Sequence, residues 1–432
     1  MSAETTSKPG KQSHDREYSE YDISGAAFWE ATAEEREKTF AKLREHDPVS
    51  WQRPIENAVE PDPEDPGYWA VVGHADISHV SQTLDEYVSG QGVLFDDLPA
   101  DFLEMTQSFL AMDPPGHDHL RKIISSAFTP KQIKRIEDEI RVAARVVVDE
   151  FASDPSGEVE FVQQCASQLP LRMFSAMFGI PEHLRERSAA AARNIVAWAD
   201  PEALGDRRPQ EVQLEAAQEL HDIAVQIVEE RRKNPADDLF TSLAMADVDG
   251  EGLSDQEIGS FFVLLAVAAN DTTTNASTWT VKALTDYPEQ RDWLREDFDG
   301  RIDQAIEEFI RFTSPVMTFR RTAVGDTELR GRQIRAGEKV VMFYSSGNRD
   351  AEVFTDPNDL DLSRKPNKHV GFGGGGRHFC LGNQLAKSML RALLRELLTR
   401  VPDIHTNAEP ELLGTNFIRG VKRQQVAFTP ES

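Results

Sequence analysis

The sequence has few cysteines and no long apolar run. Its 432 residues include only two cysteines, Cys165 and Cys380, so a disulfide framework is excluded and a reducing, cytoplasmic location is expected. A run of about 18 apolar residues is also missing, which argues against a transmembrane span. Residues 1–21 lack the apolar core of a secretory signal. Their polar, charged composition predicts a disordered segment.

Positive charge is scarce as well. The chain has 47 Lys and Arg against 74 Asp and Glu, a formal net charge of −27. Nucleic acids and anionic membranes repel such a surface, so both are excluded as partners. Hydrophobic residues make up 39% of the chain, enough for a sizeable core. With no visible repeat or linker, we expect residues 22–432 to form a single domain and the protein to be a monomer.

Helical periodicity dominates the chain, and strand patterns are few. The predicted helices are 130–151, 167–178, 210–233, 255–287, 288–295 and 301–312. The predicted strands are 68–72, 322–324, 333–334 and 339–344. These patterns predict a mainly α fold with a smaller β-rich part.

The most informative segment is residues 369–382, which read HVGFGGGGRHFCLG. Glycines allow a backbone to pass close to a bulky group. The residues after Cys380 predict a helix, and a helix N-terminus favours a thiolate. A lone cysteine is more often a buried hydrophobe, and a glycine run is more often a linker. Neither alternative explains the glycines, two basic residues, the cysteine and the helix start together.

Three other segments carry chemistry. Residues 261–274 begin as an apolar helix and end in an acid and three threonines, whose hydroxyls can bend a helix. His117 and Arg121 are four residues apart after two prolines, on one helix face that could hold a carboxylate. Glu308 and Arg311 place opposite charges three residues apart. Taken alone, the first pattern is more often a core helix that enters solvent, and the second is more often a solvated helix face. The third is more often a surface ion pair worth ~0–1 kcal/mol.

Together these motifs resemble the cytochrome P450 family, in its soluble bacterial form, over roughly residues 22–430. The resemblance implies the family's fold, with a long central helix over a haem b (iron protoporphyrin IX) and Cys380 as the thiolate ligand of its iron. Asp271 and Thr272 match the family's acid–alcohol pair, which implies a proton relay. Two residues depart from the pattern. Ala269 replaces a glycine, and Phe372 lies eight positions before the cysteine instead of seven.

The resemblance also assigns further cofactor and structural residues. Gly382 and Ala268 would lie beside the haem, and Glu308, Arg311 and Arg364 would form a structural triad. The residues implied to bind the haem propionates are His117, Arg121, Arg321 and His378, with Arg320 adjacent to Arg321. About four donors suit two carboxylates in a partly buried site.

Weaker signals, such as residues 261–268 and 341–344, resemble actinobacterial members that oxidise methyl-branched lipids, terpenoids or sterol side chains. The residues expected to line the substrate pocket are Val93, Leu94, Phe95, Leu98, Phe102, Phe109, Ile195, Trp198, Val267, Ala268, Val316, Met317 and Phe417. Their apolar character suits a hydrophobic substrate. For any one of them a core position is about as good an interpretation, because apolar residues are mostly inside.

The resemblance therefore implies a haem-thiolate monooxygenase that inserts one atom of O₂ into a C–H bond. No GxGxxG fingerprint follows a strand, so a separate ferredoxin and its reductase are implied. Lys122, Arg377, Lys387 and Arg391 would form a basic docking patch. Two alternatives stay open: a haem or lipid carrier or sensor, and a peroxide-driven enzyme. The presence of the acid–alcohol pair argues against both.

Overall fold

The computed structural model describes residues 16–430, apart from residues 57, 99, 107, 126–129, 199 and 249–250. The α-helices in this part of the chain are α1 (Ala26–Glu30), α2 (Ala33–His46), α3 (His74–Gln82), α4 (Ala100–Thr106), α5 (Gly116–Ser125), α6 (Pro130–Ala152), α7 (Gln168–Phe178), α8 (Glu182–Val196), α9 (Pro201–Leu204), α10 (Pro209–Lys233), α11 (Leu239–Ala244), α12 (Asp255–Asp286), α13 (Pro288–Glu296), α14 (Phe298–Thr313), α15 (Tyr344–Gly347) and α16 (Asn383–Arg400). The predominance of helix confirms the predicted fold class. None of these helices is both long and apolar enough to cross a membrane.

The strands form one sheet of five strands and several small ones. They are β1 (Val49–Gln52), β2 (Tyr68–Val71), β3 (Tyr87–Val88), β4 (Glu158–Glu160), β5 (Asp247–Val248), β6 (Glu251–Gly252), β7 (Thr318–Ala323), β8 (Thr327–Leu329), β9 (Arg332–Ile334), β10 (Lys339–Phe343), β11 (His405–Thr406), β12 (Glu411–Leu412), β13 (Val421–Arg423) and β14 (Gln425–Ala427). The large sheet has the order β1-β2-β10-β7-β3. Its β2–β10 pair is parallel and its other pairs are antiparallel.

Helix α12 is the central element of the fold. Ser254 caps it, and Glu257 completes a capping box, as the sequence predicts. The first half of α12 packs against α8, α10 and α11 in one apolar cluster. Its second half packs against α14 and α16 in another cluster. One helix therefore joins two halves of the core.

The prediction of disorder for residues 1–21 is wrong for residues 16–21. Arg16 forms an ion pair with Glu338 at 3.1 Å, and its guanidinium lies 4.8 Å from the centre of the Trp69 ring. The Ser19 N–H donates to the Trp51 carbonyl at 2.8 Å. These partners are distant in sequence, which is why local composition alone missed them. Residues 1–15 lie outside the described residues.

Helix α14 supplies a buried carboxylate that organises the loop before the cysteine segment. Glu308 and Arg311 are fully buried and form two hydrogen bonds of 2.7 Å. Arg364 donates to the same carboxylate at 3.1 Å. Arg311 also donates to the Asn348 carbonyl at 2.8 Å, and the Asn348 side chain accepts from the Val370 N–H at 2.8 Å. The triad thereby fixes the start of the glycine-rich loop.

Glu308→Gln should destabilise the protein strongly, because the variant leaves two buried guanidinium groups without their counter-charge. We expect the free energy of unfolding to fall by roughly 3–5 kcal/mol, measured by urea unfolding. Asp303→Asn is the matched control on the same helix. It breaks an exposed pair with Arg391, so it should change the free energy by about 0–1 kcal/mol. Equal effects of the two variants would contradict a structural role for Glu308.

Candidate active site

A cavity of about 330 Å³ lies between α12 and the loop that precedes α16. Nine residues of α12, from Val263 to Ala276, line it on one side. The loop residues Gly371–Gly373 and His378–Gly382 line it on the other. Ala268, Thr272, Cys380 and Gly382 therefore lie around one space, as the sequence expectations place them.

The glycines of residues 374–376 are required by close packing on α3. Gly376 has φ = 76°, and a Cβ there would lie 2.7 Å from the Ser81 carbonyl oxygen. A Cβ on Gly374 would lie 2.9 Å from the Ile77 carbonyl oxygen. The Ser81 hydroxyl also donates to the Gly375 carbonyl at 3.0 Å. The glycines thus seat the cysteine loop against α3, a role that the sequence reasoning missed.

Cys380 lies at the end of this turn, three residues before the first residue of α16. Burial raises the pKa of its thiol. The backbone N–H groups of Gly382 and Asn383, and the positive charges of Arg121 and Lys387, act in the opposite direction. These donors and cations stabilise a thiolate once a metal ion shares its charge.

The unusual spacing of Phe372 does not remove it from the site. The Cys380 N–H donates to the Phe372 carbonyl at 3.0 Å, and both residues line the cavity. The Lys387 ammonium lies 5.2 Å from the centre of the Phe372 ring. The extra residue is accommodated in the glycine turn, which leaves Phe372 beside the cysteine.

Two histidines with free nitrogens lie near Cys380. The His117 and His378 rings are 4.4 Å apart. His117 is 1% exposed, its Nδ1 is 2.9 Å from Asp118, and its Nε2 has no partner among the described residues. The Nε2 of His378 lies 3.2 Å from the Ser89 hydroxyl, and its Nδ1 likewise has no partner among them. Burial lowers the pKa of His378 to about 2, helped by the charges of Arg321, His117 and Arg121.

Two arginines complete this group of donors. Arg121 lines the cavity and donates to the Phe379 carbonyl at 2.6 Å. Arg321 is 2% exposed and also lines the cavity. Its Nη1 donates to the Arg320 carbonyl at 2.8 Å, but its Nε has no partner among the described residues. The neighbouring Arg320 pairs with Asp97 at 2.6 Å, whereas no ion pair to a described carboxylate is formed by Arg321. Buried donors without partners are unfavourable, and this group suits a ligand that carries carboxylates.

Helix α12 brings an acid and an alcohol to the opposite side of the cavity. Thr272 lines the cavity, and its hydroxyl donates to the Ala268 carbonyl at 2.8 Å. The neighbouring Asp271 is not among the lining residues, and its Oδ2 is buried without a partner in the described part of the chain. Burial raises the pKa of Asp271 to about 7, opposed by the charge of Arg193. Helix α12 continues without a break through Ala269.

Most of the expected pocket residues line the cavity. Those that do are Val93, Leu94, Leu98, Phe102, Phe109, Ile195, Trp198, Val267, Ala268, Val316 and Phe417. Phe95 and Met317 are the corrections, because both pack in an apolar cluster with Tyr68 and Phe343. Each follows a cavity-lining residue in the sequence, and its side chain turns to the core instead. Hydrophobicity alone could not tell the two sides apart.

Sequence reasoning also missed some lining residues. Among these are Phe174 and Met177 of α7, Gln213 of α10 and Ile418 near the C-terminus. The apolar pattern of α7 indicates an inward face, but it does not distinguish a core from a cavity. Gln213 lies between Val212 and Leu214, but a glutamine is more often exposed than buried, so its polar side chain gave no sign of a cavity position.

The expected basic patch is largely neutralised. Arg377 pairs with Asp118, Lys387 with Glu307 and Arg391 with Asp303. Two of these acids lie on α14, far from their partners in sequence. Next to Cys380, the side chain of Phe379 is 39% exposed. This face is therefore a mixed surface of paired charges around an aromatic residue.

A metal ion bound to Cys380 would need further ligands besides this one side chain. Across the residues that the structure describes, no group of three or more His, Cys, Asp or Glu side chains could hold a metal. Haem brings four ring nitrogens to its iron, a broad apolar ring and two carboxylates, which suit the apolar cavity and the free donors beside it. Fold and site together thus define the class of haem-thiolate proteins.

The comparisons with known proteins then identify the family. The model of the family described as "Cytochrome P450" matches residues 67–401, and the chain belongs to that family. It is consequently a P450 monooxygenase with a haem-thiolate cofactor, acting on a hydrophobic substrate with electrons from redox partners.

Three relatives from mycobacteria are informative. The chain is 39% identical to a methyl-branched lipid omega-hydroxylase of Mycobacterium bovis, over 94% of each chain. It is 36% identical to a steroid C26-monooxygenase of the same species, over 90% of this chain and 89% of the relative. A Mycobacterium marinum cytochrome P450, solved in complex with pseudoionone, is 52% identical with a TM-score of 0.93. That match covers 96% of this chain and 99% of the solved one.

Asp271→Asn should change how stability depends on pH. The unfolded chain releases the Asp271 proton near pH 4, whereas the folded protein holds it to about pH 7. The folded state binds more protons in this window, so the stability contributed by Asp271 falls as the pH rises through it. The variant should therefore gain stability relative to the wild type between about pH 4 and 7, by up to about 4 kcal/mol. Urea unfolding measures this difference, and parallel pH profiles would contradict the raised pKa.

Proposed function

We propose that this monooxygenase hydroxylates a methyl-branched lipid, an isoprenoid or a sterol side chain. The observation that carries the proposal is the cavity, which is lined almost wholly by apolar side chains and extends along α12 from Thr272 to Val263. An elongated hydrocarbon fits such a space, and few charged groups would fix a polar substrate. The names of the two mycobacterial hydroxylases support the same substrate class.

Haem b is the proposed form of the cofactor. Cys380 would be the ligand of its iron, with Gly382 and Ala268 beside the ring. The proposed propionate partners are His117, Arg121, Arg321 and His378. The free Nε2 of His117 and the free Nε of Arg321 support this assignment. When bound, the haem supplies the activation of O₂ that C–H hydroxylation needs.

Asp271 and Thr272 are the proposed proton relay. The Thr272 hydroxyl donates a hydrogen bond to the Ala268 carbonyl, so its oxygen presents lone pairs to a donor in the cavity. Asp271 lies next to it on the side of Arg193, with a pKa of about 7. Near neutral pH such a carboxyl can take up and release a proton with little cost. The pair would move protons from the α8 side of α12 to the cavity.

A ferredoxin with its reductase is the proposed source of electrons. The protein itself is proposed to be a monomer in the cytoplasm. The absence of a dinucleotide fingerprint in the sequence supports a separate donor. The exposed Phe379 beside Cys380 offers an apolar contact at the centre of the face that a ferredoxin would approach. The paired charges around it contribute to the choice of partner more than to affinity.

The thiolate ligand is tested with carbon monoxide. The reduced wild-type protein should show the strongly red-shifted Soret band of a thiolate-ligated haem. Cys380→Ser should lose this shift, because an alcohol does not supply a thiolate. Cys165→Ser is the matched control, since Cys165 is buried away from the cavity, and it should keep the shift. An unshifted wild-type band would overturn the ligand assignment.

Thr272→Ala should uncouple electron consumption from product formation. The variant removes the hydroxyl that presents lone pairs to the cavity, so reduced oxygen should escape as peroxide in place of product. We expect a severalfold rise in ferredoxin oxidised per product, measured with a branched-chain substrate. Thr274→Val, a threonine of α12 that does not line the cavity, should keep the wild-type ratio. Unchanged coupling in Thr272→Ala would exclude Thr272 from proton delivery.

A further inference from the structure

Gln213 is a buried polar residue in an apolar wall of the cavity. It lies on α10, lines the cavity and is 2% exposed. Its Nε2 donates to the Ile195 carbonyl, at the end of α8, at 3.4 Å. Its Oε1 is buried and has no hydrogen-bond partner in the part of the chain that the structure describes. The α8 and α10 side of the cavity therefore contains an unused acceptor.

The orientation of this amide follows from its one hydrogen bond. A carbonyl oxygen only accepts, so the NH₂ group of Gln213 must face Ile195 and the oxygen must face away from it. Burying an acceptor without a partner is unfavourable, and native proteins rarely do so without a reason. No donor on the described residues reaches this oxygen, so a donor on a bound ligand can supply the missing hydrogen bond.

The cavity separates Gln213 from Cys380. Cavity-lining residues extend along α12 from Val263 to Ala276, a span of 13 residues or about 20 Å of helix. Helix α10 packs with the first half of α12, whereas α16, which follows Cys380, packs with the second half. With the haem at the Cys380 end, an elongated ligand can therefore extend from the haem toward Gln213.

We propose that Gln213 is a polar subsite that accepts a hydrogen bond from a terminal hydroxyl of an otherwise apolar, elongated substrate. The substrate class is thus a branched or isoprenoid alcohol, with its hydroxyl end at the α8–α10 wall and its apolar end toward Cys380. The claim that the apolar end of the substrate is the end that is oxidised rests on the proposed function. The hydrogen bond to Gln213 depends only on binding of the ligand and not on its oxidation.

The test is a pair of ligands that differ by one donor. Farnesol has a terminal hydroxyl, and farnesyl methyl ether has the same chain and oxygen but no O–H. Calorimetric titration of the haem-loaded wild-type protein should give about tenfold tighter binding of the alcohol, equivalent to about 1.4 kcal/mol. Gln213→Met keeps the length of the side chain and removes the acceptor, so it should bind both ligands within about twofold of each other.

Thr106→Val is the matched control. Thr106 also lines the cavity, but its hydroxyl already donates to the Phe102 carbonyl at 2.8 Å. This variant should retain the wild-type preference for the alcohol. Equal affinity of the wild type for the two ligands would overturn the subsite, and so would a preference that survives in Gln213→Met. Because binding is measured without turnover, a lack of oxygenated product would count against the proposed function alone.

Discussion

The position of the cysteine loop depends on one buried carboxylate. Glu308 is fully buried and accepts hydrogen bonds from two arginines, one on its own helix and one 56 residues later. Such a group is stable only when each of its partners is in place. Arg311 and Asn348 extend the network to Val370, ten residues before Cys380. The geometry of the proximal side is therefore set by charges that never contact the cavity.

A second constraint is the contrast between the acidic chain and the two arginines beside the cavity. The formal net charge is −27, yet Arg121 and Arg321 both line the cavity. Burial lowers the pKa of Arg121 and of Arg321, which shows that the folded chain alone does not compensate their charges. An anionic ligand would offset this cost, and any ligand that binds only the folded state stabilises it. Cofactor binding and folding are thus expected to be coupled.

The sequence predicts what depends on local pattern. The capped start of α12 and the cysteine motif before α16 are set by neighbours in the chain, and both are found as predicted. Contacts between residues that are distant in the sequence are not predicted by local pattern. Arg16 is ordered by Glu338, and Lys387 is neutralised by Glu307. Whether Met317 faces a cavity or a core depends on the packing of strands, which no local pattern contains.

Helix α12 carries a run of polar side chains through the core of the protein. Within residues 271–280, all of which the structure describes, the hydroxyls of Thr272, Ser277, Thr278 and Thr280 donate to the carbonyl four residues earlier. A polar run can therefore cross the core at little cost. The Oδ2 of Asp271 is buried in the same run without a partner among the described residues, although an asparagine there would avoid the charge. Because the folded protein holds this proton to about pH 7, the carboxyl destabilises the folded state as the pH rises above about 4. A group kept at such a cost agrees with the proposed role of Asp271 in proton transfer.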